Sequence, residues 1–162
     1  MYVVDANVLI EAKNRYYAFD LAPGFWEWLN QMCVAGDVFS IEPVYDELRA
    51  GKDDLAVWAQ EHPDFFRPLG QGPVQYFSLL SQWAVSQKFT KAALAQFTGN
   101  NADYFLVAFA RAYGCTVVTN EVSAPMGRRR VKIPDACKAM GVAVTTTFEI
   151  MRRCGAQLVL LP

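Results

Sequence analysis

Short β-rich runs alternate with longer amphipathic segments along most of the sequence, and this alternation constrains the fold more than any other feature. The β-rich runs are YVV, VFSI, CTVVT and GVAVTT, and the segments between them carry apolar residues at helical spacing. Strands separated by helices pair in parallel, because the helix returns the chain to the same end of the sheet. The sequence therefore predicts an α/β fold with a mostly parallel central sheet and helices on both faces.

The middle of the chain, from about residue 53 to 98, departs from the alternation and is mostly helical in pattern. It contains two apolar stripes at helical spacing, which are interrupted by the loop segment HPDFFRPLGQGP. We interpret it as a helical insertion or lid that is too short to be an independent domain. Residues 1–162 are therefore expected to form a single domain.

The composition excludes several classes of protein. Hydrophobic residues make up 53% and charged residues 19%, which is typical of a globular protein with a buried core. No apolar run is long enough to span a membrane, and the N-terminus has no pattern of a signal peptide. The four cysteines are scattered without a C-x-x-C pair, as expected of reduced thiols. We expect a cytoplasmic protein with no membrane association.

Three carboxylates are placed where a parallel sheet would bring them together. Asp5 directly follows YVV, and Glu121 lies two residues after CTVVT. Asp103 begins the helix that leads into CTVVT, so its end of the helix lies beside the carboxyl end of that strand. Ligands of open α/β sheets bind at the carboxyl ends of strands. The three acids are therefore predicted to converge on one edge of the sheet.

Clustered carboxylates repel one another unless a cation lies between them, and hard cations such as Mg²⁺ and Mn²⁺ prefer oxygen ligands. A divalent ion at this edge would polarise a phosphoryl oxygen and lower the pKa of a bound water, which is the chemistry of phosphodiester hydrolysis. Simpler structural roles are also open from the residues alone. Asp5 would suit a helix N-cap, Asp103 a first-turn acid favoured by the helix dipole, and Glu47 a solvated helix position.

The segments VVDANVLIEA, YDELRAG and DYFLVAFARAYGCTVVTNE together resemble PIN-domain nucleases. The resemblance spans nearly the whole chain and implies a metal-dependent endoribonuclease that uses Mg²⁺ or Mn²⁺. It further implies the toxin of a toxin-antitoxin pair, with RNA as substrate, a small antitoxin as partner and a homodimer as a common assembly. By this resemblance Asp5, Glu47, Asp103 and Glu121 match the metal-binding and catalytic acids. Asn7 and Thr119 match the polar supporting positions.

The sequence departs from the family after the strand CTVVT, where an Asp is usual and this chain has TNEVSAP. Glu121 is longer than Asp and would still reach a metal. Asp135 in KIPDACKAM is the alternative or additional acid.

A basic run in a predicted loop follows the acids. It would hold substrate phosphates near a site that repels them, although a solvated turn is the other interpretation. Its residues are Arg128, Arg129, Arg130 and Lys132. The net charge of −1 makes such local attraction necessary for binding RNA.

Two other functions compete with the nuclease. The first is a catalytically inactive PIN-like module that binds RNA or a protein, with the metal site lost through the departure at TNEVSAP. The second is a Mg²⁺-dependent phosphatase-like enzyme with Asp5 as a covalent nucleophile. Asn7 stands where that second chemistry would need another Asp. His62, the only histidine, lies in a loop segment far in sequence from the candidate metal-binding acids and is expected at the surface.

Overall fold

A computed structural model describes residues 1–159 of the chain. In this part of the chain five parallel strands form one sheet in the order β3-β2-β1-β4-β5. The strands are β1 (Tyr2–Val4), β2 (Val38–Ile41), β3 (Phe66–Arg67), β4 (Thr116–Val118) and β5 (Val144–Thr145). The predicted α/β fold with a parallel central sheet is confirmed.

Helices connect the strands and cover the sheet. The α-helices are α1 (Ala6–Glu11), α2 (Pro23–Val34), α3 (Glu42–Ala50), α4 (Asp54–Glu61), α5 (Val74–Ser86), α6 (Lys91–Thr98), α7 (Ala102–Tyr113), α8 (Ile133–Met140) and α9 (Thr147–Arg153). A π-helical segment, Ala12–Tyr16, continues α1, and a 3₁₀ turn, Pro63–Phe65, precedes β3. Gly114 ends α7 with a φ of 67°, a left-handed conformation that favours glycine.

The central strands are apolar on both faces because helices cover both faces. Val3 and Val4 of β1 and Val117 and Val118 of β4 are all fully buried. The parallel register pairs Val4 with Val118, so β1 and β4 end at the same level of the sheet. This register is what brings the residues after the two strands side by side.

The middle segment is not wholly helical, and here the expectation was incomplete. Phe66 and Arg67 lie in the stretch interpreted as a loop, yet they form β3 and pair in parallel with Ser40 and Ile41 of β2. A run of two paired residues is too short to show a strand period in the sequence. The segment therefore contributes an edge strand to the sheet as well as helices.

His62 is not simply a surface residue. It is half-buried, its ring stacks on Trp58, and its ring nitrogens lie 2.8 Å from the Trp58 carbonyl oxygen and 3.0 Å from Asn30 Nδ2. These contacts fix the C-terminal end of α4 against α2. Within residues 1–159, no helix is both long enough and apolar enough to cross a membrane.

Candidate metal centre

Asp5 is a buried carboxylate at the end of β1 and also the N-cap of α1. One carboxylate oxygen accepts a hydrogen bond of 3.2 Å from the backbone N–H of Asn7, and the other accepts one of 2.8 Å from the hydroxyl of Thr119. The residue is 1% exposed. Asp5 can therefore cap α1 and still offer an oxygen to a metal ion, because a single carboxylate has enough lone pairs for both.

The charge of Asp5 is poorly compensated. Its pKa is raised to about 7, chiefly by burial and also by the negative charges of Asp103 and Glu121, while the hydrogen bonds from Thr119 and Asn7 oppose the rise. A carboxyl group in water titrates near 4. The elevated pKa shows that the fold keeps an acid where its ionised form is disfavoured, which is characteristic of functional sites.

Asp103 lies in the first turn of α7. Asn101 caps this helix, because its side-chain oxygen accepts a 2.8 Å hydrogen bond from the backbone N–H of Asp103. Its pKa is raised to about 6, first by burial and then by the charges of Glu121 and Glu47; Arg130 and Lys132 oppose the rise. The charge of Asp103 in turn raises the pKa of Asp5, as expected of two acids near one edge of the sheet.

Glu47 lies on α3, which begins directly after β2, and it is more exposed than the other acids. Partial burial raises the pKa of its carboxylate, and the Arg130 charge opposes the rise. Glu47 and Asp103 face the same open cleft, which has a volume of about 590 Å³. Asn7 and Arg130 also line this cleft.

Glu121 lies next to Asp103 but is bound to three donors of its own chain. Arg130 and Lys132 contact Oε1 at 3.0 Å and 3.2 Å, and the backbone N–H of Ile133 donates to Oε2 at 2.9 Å. These contacts join the loop after β4 to the start of α8.

Asp135, the alternative acid, holds the loop between β4 and α8. Its carboxylate accepts a hydrogen bond from the hydroxyl of Ser123 and another of 2.9 Å from the backbone N–H of Ala124. These contacts favour a structural role for Asp135.

The residues of the basic run make different contacts. Arg128 donates to the backbone carbonyls of Pro125 and Gly127, so it is engaged within the loop. Arg130 and Lys132 turn toward the acids. Arg129 is exposed and, among the described residues, makes no hydrogen bond or ion pair.

Asn120 was missed by the sequence analysis. Its amide nitrogen donates to Glu11 at 2.9 Å, and its amide oxygen accepts from the hydroxyl of Thr147 at 2.9 Å. The residue thereby ties α1 and the N-terminus of α9 to the end of β4, beside the acids. An Asn after a strand is common in loops, so the sequence carried no signal for this contact.

The donor set suits a hard divalent cation. Asp5 and Asp103 offer carboxylate oxygens, and their pKa values are raised first by burial and then by neighbouring negative charges, both of which a bound cation would offset. Within residues 1–159, no three His, Cys, Asp or Glu side chains stand close enough together to form a ready metal site. A cation here would therefore rely on one or two carboxylates together with water, which is the usual coordination of Mg²⁺.

Residues 2–158 match the sequence family described as Domain of unknown function (DUF4411). The chain belongs to this family. No curated protein sequence shows significant similarity to the chain.

Three solved structures share its architecture, each with a TM-score of 0.54. FitAB bound to an IR36 DNA fragment is 19% identical, with 90% of this chain and 94% of that chain covered. VapBC2 from Rickettsia felis bound to a promoter DNA fragment is 14% identical, with coverages of 90% and 97%. FitAcB from Neisseria gonorrhoeae is 20% identical, with coverages of 89% and 96%.

These three structures are toxin-antitoxin complexes whose toxins are PIN-domain proteins. The resemblance to PIN-domain proteins is therefore confirmed at the level of the fold.

Proposed function

We propose that the protein is a metal-dependent endoribonuclease that hydrolyses RNA phosphodiester bonds and serves as the toxin of a toxin-antitoxin pair. The observation that carries the proposal is the pair of acids with raised pKa values in a PIN-like fold, the buried Asp5 and Asp103, of which Asp103 lines an open cleft. The toxin assignment rests on the complexes that share this fold.

In this proposal Asp5 and Asp103 hold Mg²⁺ or Mn²⁺, with Glu47 facing the cleft beside them. When bound, the ion would polarise a phosphoryl oxygen and lower the pKa of a water molecule. Thr119 fixes the orientation of the Asp5 carboxylate through its 2.8 Å hydrogen bond. Glu47 is exposed and has a raised pKa, so it is suited to accept a proton from the attacking water.

Positive side chains must offset the repulsion between RNA and the acids. Arg130 lines the cleft, and Lys132 Nζ lies 3.2 Å from Oε1 of Glu121. Arg129 is exposed on the same loop. We assign these three side chains to the phosphates of single-stranded RNA. Arg128 contributes by holding the loop, because its guanidinium is engaged with backbone carbonyls.

The burial of Asp5 favours the nuclease over the phosphatase-like alternative. A covalent nucleophile must be reached by the bulky phosphoryl group of the substrate, whereas Asp5 is 1% exposed, and Asn7 stands where that chemistry would need another Asp. An inactive binding module is the second candidate function. The three donors that occupy Glu121 favour it, because they neutralise one acid of the site without a metal.

The deciding experiment incubates the purified full chain with mixed-sequence single-stranded RNA in Mg²⁺, in Mn²⁺ and in chelator. We expect cleavage only with the metals, and we expect Asp5→Asn to abolish it while thermal unfolding shows an intact fold. Asn retains the size of Asp and its capping ability, so loss of activity isolates the charge. Cleavage in chelator, or a fully active Asn variant, would refute the nuclease; RNA binding without cleavage would favour the inactive module.

The partners are tested separately. We propose a small antitoxin as a protein partner, a homodimer as the assembly, and the cytoplasm as the compartment of action. Co-expression with a short neighbouring reading frame that has a DNA-binding pattern should yield a co-purifying complex. Size-exclusion chromatography with light scattering should give twice the mass of the 18.1 kDa chain. A monomer that binds no such product would contradict this part of the proposal.

A further inference from the structure

We propose that Arg130 is an internal cation that competes with the divalent metal for the carboxylate of Asp103, so that metal loading requires its guanidinium to move away. The inference rests on the proposed metal-dependent function and adds a residue that controls the same site. It concerns an arginine of the chain itself, carried on the loop before α8.

The geometry places one nitrogen of the guanidinium between two acids. Arg130 Nη2 lies 3.0 Å from Glu121 Oε1 and 4.0 Å from Asp103 Oδ2. The side chains of Glu121 and Asp103 are only 7% and 14% exposed, whereas that of Arg130 is 49% exposed. The guanidinium of Arg130 therefore approaches the two carboxylates from the solvent side, and it can move back toward the solvent.

Arg130 provides positive charge to more than one acid. It opposes the pKa rise of Asp103 and also that of Glu47. A divalent cation held by Asp103 would supply the same compensation from nearly the same position. The two cations would repel each other across a distance of a few ångströms in a partly buried site, where screening by water is weak. Binding of one therefore weakens binding of the other.

Arg130 can be exchanged for a metal ion because the charge of Glu121 is not compensated by Arg130 alone. Lys132 Nζ lies 3.2 Å from the same Oε1, and the backbone N–H of Ile133 donates to Oε2 at 2.9 Å. When Arg130 withdraws, the Glu121 carboxylate keeps two partners and is not left buried without compensation. Glu121 thus acts as a positioning residue that keeps Arg130 near the site, and Arg130 is the cation that can leave.

The test compares Mn²⁺ affinity of Arg130→Gln with that of Arg129→Gln, by calorimetric titration of the full chain without RNA. Both substitutions remove one positive charge from neighbouring positions, but among the described residues Arg129 makes no ion pair. We expect Arg130→Gln to bind Mn²⁺ about tenfold more tightly than the parent, as removal of one close like charge suggests, and Arg129→Gln to change the affinity by less than about twofold.

A second measurement uses the parent protein and so does not depend on the folding of a variant. Nitrogen-15 spectra of the arginine side chains are followed during titration with diamagnetic Mg²⁺, with the signals assigned in the parent by through-bond correlation to its backbone resonances. The Arg130 signal should shift with saturation while the Arg129 signal stays in place.

Two outcomes overturn the inference in different ways. If the parent binds Mn²⁺ but Arg130→Gln binds it no more tightly, or the Arg130 signal does not respond to Mg²⁺, the competition is absent while the metal-dependent function stands. If neither the parent nor any variant binds Mn²⁺ at millimolar concentration, the inference and the proposed metal dependence fall together.

Discussion

The hydroxyl of Thr119 donates a 2.8 Å hydrogen bond to the carboxylate of Asp5, although 114 residues separate the two in sequence. The same hydroxyl oxygen accepts a 3.1 Å hydrogen bond from the backbone N–H of Glu121. Thr119 therefore connects the acid after β1 to the loop after β4. Because both of its contacts are made at a residue that is 1% exposed, water cannot replace them easily.

Replacement of Thr119 by Val should destabilise the metal-free protein by about 1–3 kcal/mol at pH 8, because a buried charged acceptor loses its donor. The loss should be smaller at pH 5, since the hydrogen bond lowers the pKa of Asp5 and matters most when Asp5 is ionised. Thr119→Ser keeps the hydroxyl and is the matched control. Urea unfolding in chelator at both pH values measures the effect, and an equal loss at the two pH values would contradict it.

The raised pKa of Asp5 predicts that the metal-free protein loses stability as pH rises. The folded state holds the Asp5 proton up to about pH 7, whereas the unfolded chain releases it near pH 4. Between these values the folded state binds more protons, so the free energy of unfolding falls with increasing pH. The total fall attributable to Asp5 is on the order of 2–4 kcal/mol.

Asp5→Asn removes this titration and should flatten the pH profile, with a residual slope from Asp103, whose pKa is about 6. Denaturant unfolding from pH 4 to pH 8 in chelator gives both profiles. At pH 8, added Mg²⁺ should restore stability to the parent and much less to the variant. Parallel profiles for the two proteins would show that Asp5 is not the responsible group.

Glu47→Gln should reduce the rate of RNA cleavage by about 10- to 100-fold, because the variant loses an acceptor for the proton of the attacking water. Glu42→Gln, at the exposed start of the same helix, removes an equal charge away from the cleft and is the control. Its effect should stay within about twofold. Rates are measured at saturating Mg²⁺, and equal rates for the two variants would place the proton acceptor elsewhere.

Asp135→Asn should weaken the loop after β4 and leave Mn²⁺ affinity unchanged. The substitution weakens the hydrogen bonds from Ser123 and Ala124, which corresponds to about 1 kcal/mol of unfolding free energy. Thermal unfolding and Mn²⁺ titration are measured on the same preparation. A loss of Mn²⁺ affinity greater than tenfold would instead make Asp135 a ligand, as the sequence had left open.

Arg129→Glu should weaken RNA binding and make its dependence on salt concentration less steep. Each contact between a basic side chain and a phosphate releases counterions from the RNA, and the variant loses one such contact. Arg128→Ala should chiefly lower thermal stability, since the Arg128 guanidinium binds the backbone of its own loop. RNA affinity is titrated across salt concentrations at fixed Mg²⁺ or in chelator. An unchanged salt dependence in Arg129→Glu would place the path of the RNA outside this loop.

Periodicity and turn chemistry were enough to predict most of the fold. The strand runs YVV and VFSI, the Pro at the start of α2 and the Gly at the end of α7 are local signals, and each agrees with the observed element. β3 was the exception, because two residues in a loop-like context form a strand only through pairing with β2. Local propensity cannot report such a tertiary contact.

For the site, the sequence by itself determined which acids follow the strands, and parallel pairing then placed Asp5, Asp103 and Glu121 at one edge. Only the tertiary structure decided what each carboxylate touches. Glu121 is bound to Arg130 and Lys132, and Asp135 holds Ser123, because the loop between β4 and α8 folds back over the sheet edge. Loop conformation depends on such long-range hydrogen bonds and ion pairs, and these have no periodic signature in a sequence.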